Sequence, residues 1–130
     1  YQGAIADYDK AVKIDPKSVI AFYNRCIAKN QLGDYRGAIT DCTKAVKVDS
    51  QYAGAYVNRG AAKNQLGNYR GAIIDCTKAI KIDPQYAGAY VNRGIARELA
   101  KDLEGACNDW KKAAYLGIEP ASEWVKEQCS

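Results

Sequence analysis

Histidine and methionine are both missing from the 130-residue sequence. Without histidine, the chain lacks the commonest general base and the commonest metal ligand. Without a Met at its start, it is expected to be a fragment or a processed piece whose true N-terminus lies upstream. No apolar run reaches the ~20 residues of a membrane span, and no signal-peptide pattern opens the chain. No C-x-x-C pair occurs, so neither a zinc knuckle nor a dithiol redox motif is offered. Five cysteines are present all the same: Cys26, Cys42, Cys76, Cys107 and Cys129. Four of them fall on apolar helix stripes, where a free cysteine behaves as a small hydrophobe, and a reducing, cytoplasmic setting is expected. Cys42 and Cys76 hold equivalent positions, which favours packing over redox sensing.

What is there is ordinary in bulk. Hydrophobic residues make up 48% and charged residues 26%, the balance of a soluble globular domain. The net charge of +4 is well short of a dedicated nucleic-acid binder.

The organisation is a repeat. Tyr1, Tyr35 and Tyr69 are 34 residues apart, with Leu103 next in line. RGAITDCTKAVKVD from Arg36 aligns without gaps on RGAIIDCTKAIKID from Arg70, and QGAIADYDKAVKID and EGACNDWKKAAYLG follow the same frame. Residues 35–68 and 69–102 are identical at 23 positions and differ at 11. Each unit reads as two helices. Ala72, Ile73, Cys76, Ala79, Ile80 and Ile82 step by threes and fours along one stripe, and Asp83-Pro84 ends that helix. A partner helix starts near Tyr86. Gly33 and Gly67 stand where a helix C-terminus favours a left-handed residue; Lys101 replaces them in the third unit, where a different turn is expected. A lone helical hairpin cannot cover its own apolar face, so the units must stack.

These residues resemble the tetratricopeptide repeat family. The resemblance rests on the 34-residue period and on the aromatics Phe22, Tyr56 and Tyr90 with small residues Cys26, Gly60 and Gly94 four positions on. It rests also on Ala38, Ala72 and Ala106, on Ala45, Ala79 and Ala113, and on Pro16 and Pro84. Departures are Ser50 in place of a proline, and Lys29, Lys63 and Arg97 where the family often has tyrosine. The resemblance implies an all-α, right-handed alpha-alpha superhelix. It would comprise a half-repeat helix (1–15), repeats over 18–50, 52–84 and 86–117, and a closing helix over 120–129 in which Trp124 covers the last hairpin near Trp110.

In such a superhelix the first helix of each hairpin lines a concave face. The resemblance thus implies a groove made of Tyr23, Asn24, Ile27, Val57, Asn58, Ala61, Val91, Asn92 and Ile95, with Asn30, Asn64 and Glu98 further along. A side-chain amide donates and accepts, so an Asn in each repeat could pair with the backbone of an extended peptide. Bonds to neighbouring helices are the plain alternative. Some relatives clamp the acidic tail of heat-shock chaperones with added Lys or Arg. Here those positions hold Ile20, Gly54, Gly88 and Asn92, which disfavours that partner; the two glycines are expected to widen the groove.

Other features have structural readings. Asp7, Asp41, Asp75 and Asp109 recur once per repeat, as do Arg25, Arg59 and Arg93, and buried Arg–Asp pairs are expected rather than a catalytic cleft. No catalytic residue, metal site or cofactor is expected. The N-terminal helix has no cap, so Ile5, Tyr8 and Val12 could dock on a second copy to form a homo-oligomer. Lys10, Lys44, Lys78 and Lys112, with Lys13, Lys47, Lys81, Arg36 and Arg70, make an outer basic face. It reads as a solvated surface, or as a site for an anionic partner; nucleic acid is disfavoured because no aromatics are interleaved. The function expected is protein–protein interaction through a bound peptide.

Overall fold

A computed structural model describes residues 2–129; Tyr1 of the 34-residue series and the side chain of Gln2 lie outside the described residues. Among the described residues the elements are all helical: α1 (Gln2–Ile14), α2 (Val19–Gln31), α3 (Tyr35–Val48), α4 (Ala53–Gln65), α5 (Tyr69–Ile82), α6 (Ala87–Leu99), α7 (Leu103–Tyr115) and α8 (Glu119–Gln128).

Local chemistry fixes the helix ends. Asp34, Asn68 and Asp102 each accept a hydrogen bond from the backbone N–H three residues on, which supplies a partner to a donor the helix leaves free. Ser18 does the same for α2. Before α4 and α6, where Tyr52 and Tyr86 provide no side-chain cap, the carboxylates of Asp49 and Asp83 instead accept from Gln51 and Gln85 to shape the turn. At the other end of α2, the Gly33 N–H donates to Asn30 and the Asp34 N–H to Lys29, closing a Schellman turn. Gly67 and Asn68 repeat it. The third unit does not build a different turn. Lys101 takes the left-handed conformation itself, with φ 73°, and the same pair of bonds forms, the Lys101 N–H donating to Glu98 and the Asp102 N–H to Arg97.

Consecutive helices pack as antiparallel neighbours along the whole chain, and α2 also touches α4, as α4 touches α6. Among the described residues, α3, α5 and α7 make no contact of that extent with one another. The first helices of the hairpins are therefore the crowded layer and the second helices the splayed one, which curves the stack with α2, α4 and α6 on the inside. Ala38, Ala45, Ala72, Ala79, Ala106 and Ala113 are fully buried at the close approaches. Trp124 of α8 lies against Trp110, ring centroids 5.8 Å apart, and closes the last hairpin.

The cysteines overturn one expectation. Cys26 is disulfide-bonded to Cys42 and Cys107 to Cys129, so Cys76 alone is free. The physical reason lies at the tightest contact inside each hairpin. There Cys26 faces Cys42, Gly60 faces Cys76, and Gly94 faces Trp110. A Cβ on Gly60 would stand 3.0 Å from the Cys76 sulfur, and one on Gly94 would collide with the Trp110 indole nitrogen. The inner helix holds a glycine wherever the outer residue fills the space, and a cysteine where a second sulfur meets it. Burial and the neighbouring Asp75 push the Cys76 thiol up to about 12, which leaves it a neutral packing group.

Candidate functional site

The inner layer forms a shallow groove lined by Asn58, Ala61, Asn92 and Ile95 of the expected set, joined by Asn30, Tyr35, Asn64 and Gln65. The regular 34-residue spacing puts equivalent side chains on successive helices, so the groove repeats its chemistry along the stack. Tyr35 and Gln65 were not foreseen; both sit on hairpin edges that bend into view only in three dimensions.

The asparagines divide into two kinds. Asn58 and Asn92 each donate from the side-chain amide to the carbonyl one turn earlier, at Gly54 and Gly88, both at 2.9 Å. Neither side-chain oxygen receives a hydrogen bond from a described residue. Asn24 makes no side-chain hydrogen bond at all among the described residues. Asn30 and Asn64 are the links between helices. The Asn30 amide donates to the backbone carbonyl of Asn58 at 3.1 Å, and that of Asn64 to Asn92 at 3.0 Å. The oxygens of both amides are buried and unpartnered.

Other members of the set are less available than the sequence suggests. Val57 is 5% exposed and packs with Tyr56, Ala79 and Ala89, so it is core and not groove wall. Tyr23, Asn24, Ile27, Val91 and Ile95 are half-buried. The glycines do not widen the groove as expected. The Tyr23 hydroxyl occupies the space beside Gly54, 2.7 Å from where a Cβ would be, and the Tyr86 ring and Val57 occupy that beside Gly88. Tyr23 also packs edge-on against Tyr52 at 4.8 Å. Burial first, and then the neighbouring Tyr86, push its phenol up to about 12.

Behind the groove the recurring acids and arginines meet as expected. Asp41, Asp75 and Asp109 are 1–3% exposed, and Arg25, Arg59 and Arg93 reach them at 2.7, 2.7 and 2.8 Å. The sequence reading missed the second cation. Lys29, Lys63 and Arg97, at the family's usual tyrosine position, each bond the same carboxylate within 3.0 Å. Four residues beyond each arginine on a helix is the same face, and that spacing was the available signal. Arg59 and Arg93 also donate to Thr43 and Thr77 of the preceding hairpin, so each pins three helices. Their hydrogen bonds to the carboxylate raise the Arg25 and Arg59 pKa values further. Asp7, lacking such a partner, is exposed. Arg25 instead takes Asp9 at 2.7 Å.

At the N-terminal end, Ile5, Tyr8 and Val12 are half-buried, and Val12 packs against the core around Phe22. The Lys10, Lys13, Lys44, Lys47, Lys78 and Lys81 side chains are exposed on the outer helices. No helix among the described residues is long and apolar enough to cross a membrane.

Comparison with known proteins places the architecture. The family model "Tetratricopeptide repeat" matches residues 53–86. No curated protein matches the chain by sequence. Among solved structures, the second TPR of Spaghetti (RPAP3) bound to an HSP90 peptide is 31% identical. The match spans 75% of this chain and 91% of that one, with TM-score 0.73. The first TPR of Spaghetti (RPAP3), also with an HSP90 peptide, is 25% identical over 88% of this chain and 93% of that one, TM-score 0.82. The second TPR domain of human RPAP3, in complex with an HSP70 peptide, is 28% identical over 86% and 95%, TM-score 0.79. Domains of this kind act generally as protein–protein interaction modules and not as enzymes. With the eight helices of the described residues stacked as hairpins, a matching repeat over 53–86 and these relatives, the chain belongs to the tetratricopeptide repeat family.

Proposed function

We propose that this chain is an interaction scaffold whose inner groove holds an extended peptide segment of a partner protein. The observation that carries the reading is the pair Asn58 and Asn92. Their amides are held by Gly54 and Gly88 while their oxygens stay free, one per repeat, in the same groove. A fixed amide at regular spacing suits a regular peptide backbone at little ordering cost. The peptide-bound relatives support the class of ligand. They do not favour the same ligand. Ile20, Gly54, Gly88 and Asn92 offer no cation for a chaperone tail. Tyr23, Asn24, Ile27 and Val91 would border the bound segment, with Ala61 and Ile95 beneath it. The repeats over 18–50, 52–84 and 86–117 would then act as one domain with the flanking helices.

Docking of a second copy on Ile5, Tyr8 and Val12 is the weaker reading, because Val12 already packs on the first hairpin. The cytoplasmic setting was expected on the ground of free thiols, and two disulfides remove that ground. Passing a random peptide pool over the wild type and the combined Asn24→Ala, Asn58→Ala, Asn92→Ala variant tests the proposal. Retention should fall about tenfold, the loss of one or two hydrogen bonds. Equal retention by a variant with an unchanged helical spectrum overturns it.

A further inference from the structure

The C-terminal end of the groove differs from the rest. Ile95 lines the groove and also a cleft of about 210 Å3 shared with Glu98, Trp110, Trp124 and Gln128. Glu98 stands where the earlier repeats have Asn30 and Asn64. Those two asparagines reach across to the next inner helix, whereas the Glu98 carboxylate makes no hydrogen bond and no ion pair among the described residues. Of the residues assigned to the groove, with Asn30, Asn64 and Glu98 beyond them, none is a cation and Glu98 alone carries charge. This is so although the chain as a whole is +4. Beside that carboxylate the two indoles sit 5.8 Å apart at 60°, walls of a corner. The Trp110 Nε1–H, in a residue 3% exposed, has no acceptor.

A carboxylate next to two tryptophans is the chemistry that holds a cation. The half-buried Trp124 indole attracts it through its quadrupole, the carboxylate pairs with it, and a partly enclosed wall backed by the buried Trp110 strengthens both. Resting on the groove reading above, we propose that this cleft is a side-chain pocket for an arginine or lysine of the bound peptide. Arginine fits best, because its planar guanidinium can lie on an indole while its N–H groups meet the Glu98 carboxylate. The guest is thus basic, opposite in sign to a ligand such as the SRMEEVD peptide of the solved relatives.

The test uses the same random peptide pool on three forms of the disulfide-bonded chain: wild type, Glu98→Gln, and Asn58→Ala with Asn92→Ala. Glu98→Gln removes charge and keeps shape, and an unchanged melting curve confirms the fold. The best retained peptide is then compared with its copy carrying citrulline for arginine, or norleucine for lysine. Both tryptophans of the chain line the cleft, so their fluorescence reports on it alone. The expected result is enrichment of Arg and Lys on the wild type and a tryptophan spectral shift on binding. Replacing the cation, or Glu98, should weaken binding about tenfold. Peptides that need the asparagines, yet bind Glu98→Gln equally and leave the fluorescence unmoved, overturn the pocket and leave the groove standing. No retention by any form overturns both.

Discussion

Removing the charge at Asp75 is the sharpest way to probe what holds the hairpins in register. Its carboxylate is 2% exposed and accepts from Arg59 Nε at 2.9 Å and Nη2 at 2.7 Å, while the Lys63 ammonium lies at 2.9 Å. Asp75→Asn keeps the shape but leaves two cations facing a neutral amide. Breaking a buried ion pair from one side costs ~3–5 kcal/mol. The Arg59 and Lys63 side chains are 17% and 20% exposed, so water can reach the freed charges, and the lower end, ~3 kcal/mol, is expected. Asp7 supplies an internal control. It occupies the same repeat position but is exposed and has no arginine, so Asp7→Asn should change stability by less than ~0.5 kcal/mol.

The same reasoning makes a stronger claim about the triad as a whole. Desolvation offsets most of what the charges gain from one another, so an apolar replacement of all three partners should be nearly neutral. Arg59→Leu, Lys63→Tyr and Asp75→Ala together should lie within about 1 kcal/mol of the wild type. Urea denaturation followed by far-ultraviolet circular dichroism measures all three proteins, with a constant slope confirming a common unfolding transition. A loss below about 1 kcal/mol in Asp75→Asn, or a triple variant as weak as the single one, refutes the argument.

Two further outcomes follow from the backbone and the sulfurs. Lys101→Gly should stabilise the chain by up to ~1 kcal/mol, because φ 73° crowds the Cβ of lysine and glycine has none; an unchanged or lower melting temperature counts against the strained turn. Thiol titration with a disulfide-exchange reagent should find none reactive in the native protein, one (Cys76) after denaturation without reductant, and all five only after reduction. Three or more free thiols in the unreduced, denatured protein would show that at least one of the two bonds does not form.

What could be read from the letters was whatever the 34-residue period carries. Helix pairs, their Pro and Gly punctuation, the small residues at close approach and the Arg–Asp pairs all recur in phase, so each copy supports the next. What could not be read depends on which residue faces which across a gap. Cys26 belongs to a column of glycines and Cys42 to a column ending in Trp110, and only opposition of the two columns shows that sulfur meets sulfur. Val57 and Gly54 followed the groove pattern by register, yet Val57 is drawn into the core and Tyr23 closes over Gly54. Register says which face of a helix a residue occupies, and not how far a large neighbour leans across it.

The departures from the period are accordingly the informative positions. Where the stack continues, Asn30 and Asn64 spend their amides on the next inner helix. At the last hairpin the following element is α8, which presents Trp124 and Gln128 to that corner, and the equivalent residue is an acid whose side chain has no partner among the described residues. A buried link has been exchanged for a charge at the one end where a link of that kind is not made. Stability does not explain the exchange, since a half-buried carboxylate without a partner adds nothing to the fold. On the proposal made above, a guest that brings the missing cation would explain it, and selectivity in this scaffold would then sit where its repeat is broken, with the regular part supplying only affinity for backbone.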